Sequence, residues 1–172
     1  MEIIPLLNNI SEQYILHPNG AHGLSHWGRV LENGLRLAEV EGGDQNVITL
    51  FAIFHDACRH NQSIDPGHGA RAAKLADKVL NGHPDITPHQ LDLLMTACDG
   101  HTDGKTEGDI TIQICWDADR LDLFRVGIRP KARYLCTETA KEHFLISWAN
   151  KRAASDHTPD FVTDSWIELF QT

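Results

Sequence analysis

Long hydrophobic runs are missing from this sequence. The longest, Val47 to Phe54, spans eight residues with Thr49 inside it, whereas a membrane-spanning helix needs about 20; no membrane association is expected. The N-terminal Met-Glu-Ile-Ile-Pro carries an acid where a signal peptide carries Lys or Arg, and no small-residue cleavage site follows, so a cytoplasmic location is the expectation. Cys58, Cys98, Cys115 and Cys136 never fall in a C-x-x-C spacing, and each lies in or beside an apolar stretch. That argues against a disulfide framework or zinc ribbon and for free thiols acting as small hydrophobes. Positive charge is also short. The chain has 15 Lys and Arg against 24 Asp and Glu, a net charge of -9, which repels a polyphosphate backbone and makes a nucleic-acid polymer a poor partner.

What is present is ordinary in bulk and unusual in one residue. With 41% hydrophobic and 23% charged residues, the composition is that of a folded globular protein. A chain of 172 residues suits one hydrophobic core, hence a single domain over 1–172. The 11 histidines are the exception to explain.

Apolar residues recur at three- and four-residue intervals, which predicts an all-α fold of seven or eight helices. The first helix is expected from Ile3 to Leu16, before the breaker cluster His17-Pro18-Asn19-Gly20, and the second from Ser25 to Gly42-Gly43. Val47 to Cys58 is apolar nearly all round and reads as the buried central helix. A helix after Asp65-Pro66-Gly67 closes at Asn81-Gly82, and Thr87-Pro88 supplies a cap and first-turn proline for the next. Gly100 to Gly108 reads as a polar loop. Ile110 to Ile114 alternates, but it leads without a turn into Cys115, Trp116, Ala118 and Leu121, so a helix is expected there. The remaining helices are expected at Glu138 to Ala154 and after Thr158-Pro159. Trp27, Trp116, Trp148 and Trp166 sit at helical spacing from other apolar residues and read as core.

A His-Asp dipeptide such as His55-Asp56 occurs roughly once by chance in such a composition, so its position matters more than its identity. At the end of a buried helix the pair would be desolvated together, and a buried carboxylate wants a cation. Other candidates share inward stripes. His26 lies four, seven, eight and eleven residues before Val30, Asn33, Gly34 and Leu37, and Asp119 lines up with Ile112, Cys115, Trp116 and Leu123. His68 opens a helix whose apolar face is Ala72, Leu75 and Val79, and His101 follows Cys98 by three. Singly, such histidines are more often satisfied core or surface residues than ligands; together they want a common partner. A His/carboxylate set without thiolate suits Mn, Fe, Co, Ni or a catalytic Zn. His17, His60, His83, His89, His143 and His157 read as surface residues, with His60 near enough to be a proton donor.

His26, then His55-Asp56, then Asp119 within Asp-Ala-Asp-Arg-Leu-Asp (117–122) resembles the H…HD…D signature of the HD-domain superfamily of metal-dependent phosphohydrolases. His26-Trp-Gly-Arg29-Val resembles the family's first-ligand helix and Ala118-Asp119-Arg120-Leu121 the last-ligand helix of alarmone hydrolases. The likeness covers residues 22–128, and helices in 131–172 extend it. It implies one divalent ion on His26, His55, Asp56 and Asp119, with a second on His68 and His101 in branches that use two, Asp56 bridging. Asp117 and Asp119 stand about 200° apart around a helix, so one of them is the direct ligand, and the family pattern favours Asp119. Asp122 and Asp117 are the candidates for supporting or catalytic contacts.

A bound divalent ion lowers the pKa of its water and polarises a phosphoryl oxygen. Arg29 and Arg59, each one turn from a candidate ligand, are the first choices for holding a phosphate, ahead of Arg120, Arg125 and Lys105. The expected function is hydrolysis of a small phosphorylated metabolite, a nucleotide being the first class to test. The alternatives are a di-iron oxygenase on the same scaffold and a non-catalytic metal- or nucleotide-binding module.

Overall fold

The computed structural model describes residues 2–170. Among these the chain forms eight α-helices and no strand: α1 (Ile3–Ser11), α2 (Leu24–Glu41), α3 (Gln45–Phe54), α4 (His68–Leu80), α5 (Pro88–Gly100), α6 (Ile110–Leu121), α7 (Glu138–Lys141) and α8 (His143–Ala154). The all-α expectation holds, including a helix where Ile110 to Ile114 alternates. No helix is long and apolar enough to cross a membrane among the described residues.

Local chemistry starts several of these helices. The Asp44 carboxylate accepts from the Asn46 and Val47 amides at the head of α3, and Asp109 accepts from Thr111 at the head of α6. Thr87 and Gln90 form a reciprocal capping box ahead of Pro88 in α5. α3 is the hub. Its Val47, Ile48 and Leu50 to Phe54 are all buried, and it packs against α2, α4, α5 and α6. Trp27, Trp116 and Trp166 join this core, while Trp148 is half-buried between the guanidiniums of Arg36 and Arg152, 4.6 and 4.8 Å from its ring.

Three boundaries differ from expectation. α1 stops at Ser11 rather than Leu16, because the backbone tightens into three-residue turns at Gln13 and Tyr14 and the polar Ser11-Glu12-Gln13 stretch offers no apolar face to bury. α3 stops at Phe54, so His55 and Asp56 lie in the turn that follows it. The single helix expected over 138–154 is split at Glu142, whose extended backbone (ψ 130°) ends α7 and begins α8. After α8 the chain returns across α2: Ser25 Oγ meets Thr158 Oγ1 at 2.7 Å, Val162 and Trp166 are buried, and the Phe170 ring packs edge-on against Tyr14 and Trp27. All four cysteines are free, three of them buried and Cys58 half-buried.

Candidate metal centre

Five segments deliver imidazoles and carboxylates to one point in the core. His26 comes from α2, His55 and Asp56 from the turn after α3, His68 from the first residue of α4, His101 from the residue after α5, and Asp119 from the last turn of α6. All six are buried or nearly so. Their donor atoms form two groups, each compact enough for one ion: His26, His55 and Asp119, and Asp56, His68 and His101.

The separations match coordination distances. Neighbouring donors on an ion at about 2.1 Å stand about 3 Å apart. In the first group the Nε2 atoms of His26 and His55 are 3.1 Å apart, and Asp119 Oδ1 lies 3.4 and 3.9 Å from them. In the second, the Nε2 atoms of His68 and His101 are 2.9 Å apart. Asp56 serves both sides. Its Oδ2 faces His26 and His55 at 3.6 and 3.8 Å, and its Oδ1 faces His68 and His101 at 3.1 and 3.8 Å.

The hydrogen bonds around the rings fix which nitrogen carries the proton. His26 Nδ1 is 2.8 Å from Asp122 Oδ2, and His55 Nδ1 lies 3.1 and 3.2 Å from the carbonyls of Phe51 and Ala52. The Nδ1 atoms of His68 and His101 are each 2.7 Å from a carbonyl, those of Asp65 and Cys98. A carbonyl or carboxylate can only accept, so each Nδ1 is a donor and each neutral ring presents a lone pair at Nε2. Two pairs of Nε2 lone pairs therefore point at each other, and beside the first pair Asp119 Oδ1 is buried without accepting any hydrogen bond. Acceptors gathered this way need a cation. Buried His/Asp groups that can hold a metal ion are thus part of this core.

The charge states agree. Burial pushes His55 down to about 4, against the pull of Asp56 and Asp119, and burial together with Arg125 and His55 holds His26 well below its usual value. Burial would raise the Asp56 carboxyl, but His55 and the bonds from His101, His22 and His68 hold it well below the usual carboxylate range. Asp119 is likewise held down, burial being outweighed by Arg125 and the neighbouring histidines. His101 moves up despite its burial because Asp56 and Asp119 stand beside it.

Asp122, at the end of α6, accepts from His26 and is itself gripped by Arg29, Nε to Oδ1 at 2.7 Å and Nη2 to Oδ2 at 3.1 Å. Arg29 is fully committed, its Nη1 donating to the His157 carbonyl and to Asp156. The expectation that Arg29 holds a phosphate is therefore corrected: it is a buried brace for Asp122. Asp117 also leaves the site. It accepts from the Cys136 and Thr137 amides and the Thr137 hydroxyl at 2.7 to 2.9 Å, pinning residues 136–137 to α6. His60 is exposed and bonds through its backbone N–H to Asp65, so it does not join the cluster. Lys105 pairs with Asp103 on the surface.

Arg59 does reach the centre, with Nη1 3.4 Å from Asp56 Oδ1 and 3.2 Å from His68 Nε2, and carbonyls of Asn61 and Ser63 anchor the rest of its guanidinium. Arg125 stands opposite, Nη2 3.7 Å from Asp119 Oδ1. Both line an open cleft of about 380 Å³ that reaches Asp56, His101 and Asp119. One residue escaped the sequence reading altogether. His22, in the turn before α2, has Nδ1 2.7 Å from Asp56 Oδ2 and forms a third ion-sized group with His26 and Asp56. Its only trace in the sequence is the four-residue spacing to His26. No family model, curated protein or solved structure matches this chain.

Proposed function

We propose that this chain is a metal-dependent phosphohydrolase of the HD type, acting on a small phosphorylated metabolite. One observation carries the reading: two His/Asp clusters share Asp56, one carboxylate oxygen to each, at the floor of a cleft flanked by Arg59 and Arg125. His26, His55, Asp56 and Asp119 would hold one ion, and His68, His101 and Asp56 a second. The all-nitrogen-and-oxygen donor set suits Mn, Fe, Co, Ni or Zn. A bound divalent ion supplies an acidified water and an electrophile for a phosphoryl oxygen.

The residues do the rest. The Arg59 and Arg125 guanidiniums, braced by the carbonyls of Asn61, Ser63, Ala21 and Asp122, line the cleft and would offset the charge of a phosphate there. The His22 Nδ1–H bond to Asp56 fixes the orientation of the shared carboxylate. A nucleotide is the substrate class that the signature resemblance brings with it. The six donors would equally serve a di-iron oxygenase, but the paired guanidiniums favour a phosphate.

The test combines metal content and turnover. Protein purified without chelator should carry one to two transition-metal ions per chain and, with added Mn²⁺, Co²⁺ or Ni²⁺, release phosphate from a panel of nucleotides and other phosphoesters. Asp56→Ala should abolish release and lower the metal content. Absence of phosphate release from every ester, or oxygen consumption by the iron form, would overturn the reading.

A further inference from the structure

Beside the cleft lies a second lobe of about 420 Å³, within the usual range of small-molecule pockets. The two spaces share His101, Thr102, Asp119, Leu123 and Ile128, so they form one continuous site beside the metal cluster. The new lobe has a different character. Pro130, Leu135 and the Tyr134 ring also line it, and Ile128 and Tyr134 are 55% and 53% exposed, with the Arg133 guanidinium 4.7 Å from the Tyr134 ring.

Arg129 and Lys131, both exposed, also line the lobe, and Arg120 interrupts its apolar walls from within the fold. Arg120 is 8% exposed, and its Nη1 donates to the Tyr134 carbonyl at 2.9 Å, but its Nη2 is buried with no hydrogen-bond partner among the described residues. An unmet buried donor is costly and points to an acceptor brought from outside the chain. The lobe is lined by no Asn, Gln or Glu, and its one carboxylate is Asp119, already placed in the metal cluster. A polyol entering here would give up water from its hydroxyls against walls that are mostly apolar, with Thr102, Arg120, Arg129 and Lys131 as the donors within reach.

We infer that this lobe holds the organic part of the substrate, a flat apolar group bearing a hydrogen-bond acceptor for Arg120: an aryl-type phosphoester in preference to a sugar phosphate. This rests on the phosphohydrolase reading of the adjoining centre. It makes Ile128, Tyr134 and Arg120 the residues that set specificity.

Binding of non-hydrolysable probes to the full-length, Mn²⁺-loaded protein, measured by calorimetry, tests it without relying on turnover. 4-Nitrobenzylphosphonate should bind about tenfold or more tighter than methylphosphonate or 3,4-dihydroxybutylphosphonate, the gain expected from burying one aromatic ring. Tyr134→Ala, at an exposed position outside the metal cleft, should erase most of that ratio and leave methylphosphonate affinity unchanged, and Ile128→Ser should also erase most of the ratio. Arg120→Gln should remove the advantage of the nitro compound over plain benzylphosphonate; if that variant does not fold, the two surface variants still decide. Equal affinities for the three phosphonates, tighter binding of the dihydroxy compound, or an unaltered ratio in both surface variants would overturn the inference. A protein that binds no methylphosphonate and hydrolyses no ester sinks the phosphohydrolase reading instead. In that event 4-nitrobenzyl alcohol, the same ring without the phosphonate, should still bind and should be lost in Ile128→Ser; no binding of the alcohol would overturn the lobe as well.

Discussion

His26 presents a lone pair to the centre only because its other nitrogen has somewhere to put its proton, and Asp122 provides that place at 2.8 Å. Asp122 is buried, and burial raises its carboxyl even though Arg29 works the other way; the bidentate Arg29 grip is what keeps it oriented. Asp122→Asn retains the shape but removes the charge that fixes the His26 tautomer. Loss of such an outer contact typically costs 10- to 100-fold in metal affinity, so titration should show the first ion weakened by about that factor and the second little changed; equal weakening of both would contradict this. The histidines also make a pH prediction for the metal-free protein. The folded His55 value of about 4 lies below the ordinary ~6.5, so as pH falls the unfolded chain binds the proton first. Its contribution is complete above about pH 6.5 and is lost as pH falls toward 4, and His26 shifts in the same direction. His101, shifted up, works in the opposite sense. The net expectation is a loss on the order of 2 kcal/mol between pH 7.5 and 5, read as a lower urea midpoint; an unchanged or higher midpoint at pH 5 would refute it.

Helices α4 and α5 bring His68 and His101 within 2.9 Å of each other, and a glycine sets how closely those helices approach. A Cβ on Gly69 would stand 2.3 Å from the Cys98 carbonyl oxygen and 3.2 Å from His101 Nδ1. The first obstacle is backbone, so no side chain can turn aside. It is also the carbonyl that fixes the His101 tautomer. Gly69→Ala gains up to about 1 kcal/mol in helix propensity but forces the helices apart, and overpacking typically costs 1–3 kcal/mol. The expected result is a lower Tm together with loss of the second ion before the first, measured by thermal scan and elemental analysis; retention of both ions at full Tm would contradict it. Contacts of this kind mark where the sequence is readable. The caps at Asp44, Thr87-Pro88 and Asp109 are local, and the three- and four-residue apolar spacing encodes which face each helix buries, so the helices and the inward side of His26 and Asp119 can be read along the chain. His22 cannot, and Arg125 is legible only as a lesser phosphate candidate, not as the residue that faces Asp119. His22 sits in a turn with no period, and Arg125 reaches Asp119 and the carbonyl of Ala21 from a tight turn after α6. Arg29 shows the converse: its spacing to His26 is right for a phosphate contact, but partners 93 and 128 residues away consume its donors.

At the scale of the whole molecule, the segment after α8 supports the centre although none of its described residues contributes a donor to it. It lies outside the signature region, and its link to the centre runs through α2. The His157 carbonyl and the Asp156 carboxylate complete the Arg29 guanidinium, Thr158 ties to Ser25, and a Cβ on Gly28 would meet Val162 at 2.5 Å, so tail and helix are in tight contact two residues from His26. Arg29 is 2% exposed, and a buried guanidinium robbed of partners destabilises whatever holds it. Removing residues 155–172 strips those partners and the buried Val162 and Trp166. At about 2 kcal/mol for each fully buried side chain, the loss is about 4 kcal/mol before the Arg29 penalty, and for a chain of this size that lowers Tm by roughly 10 °C. The more specific expectation concerns the metals. The tail acts through Arg29 and Asp122 on His26, which serves the first cluster, whereas His68 and His101 are held by the carbonyls of Asp65 and Cys98, remote from this chain of contacts. Truncation should therefore weaken the first ion more than the second. If the truncated chain does not fold, Trp166→Ala keeps the tail hydrogen bonds while loosening its seat and should show the same order in smaller measure. Equal loss at both clusters would mean that the tail stabilises the fold alone and has no particular hold on His26.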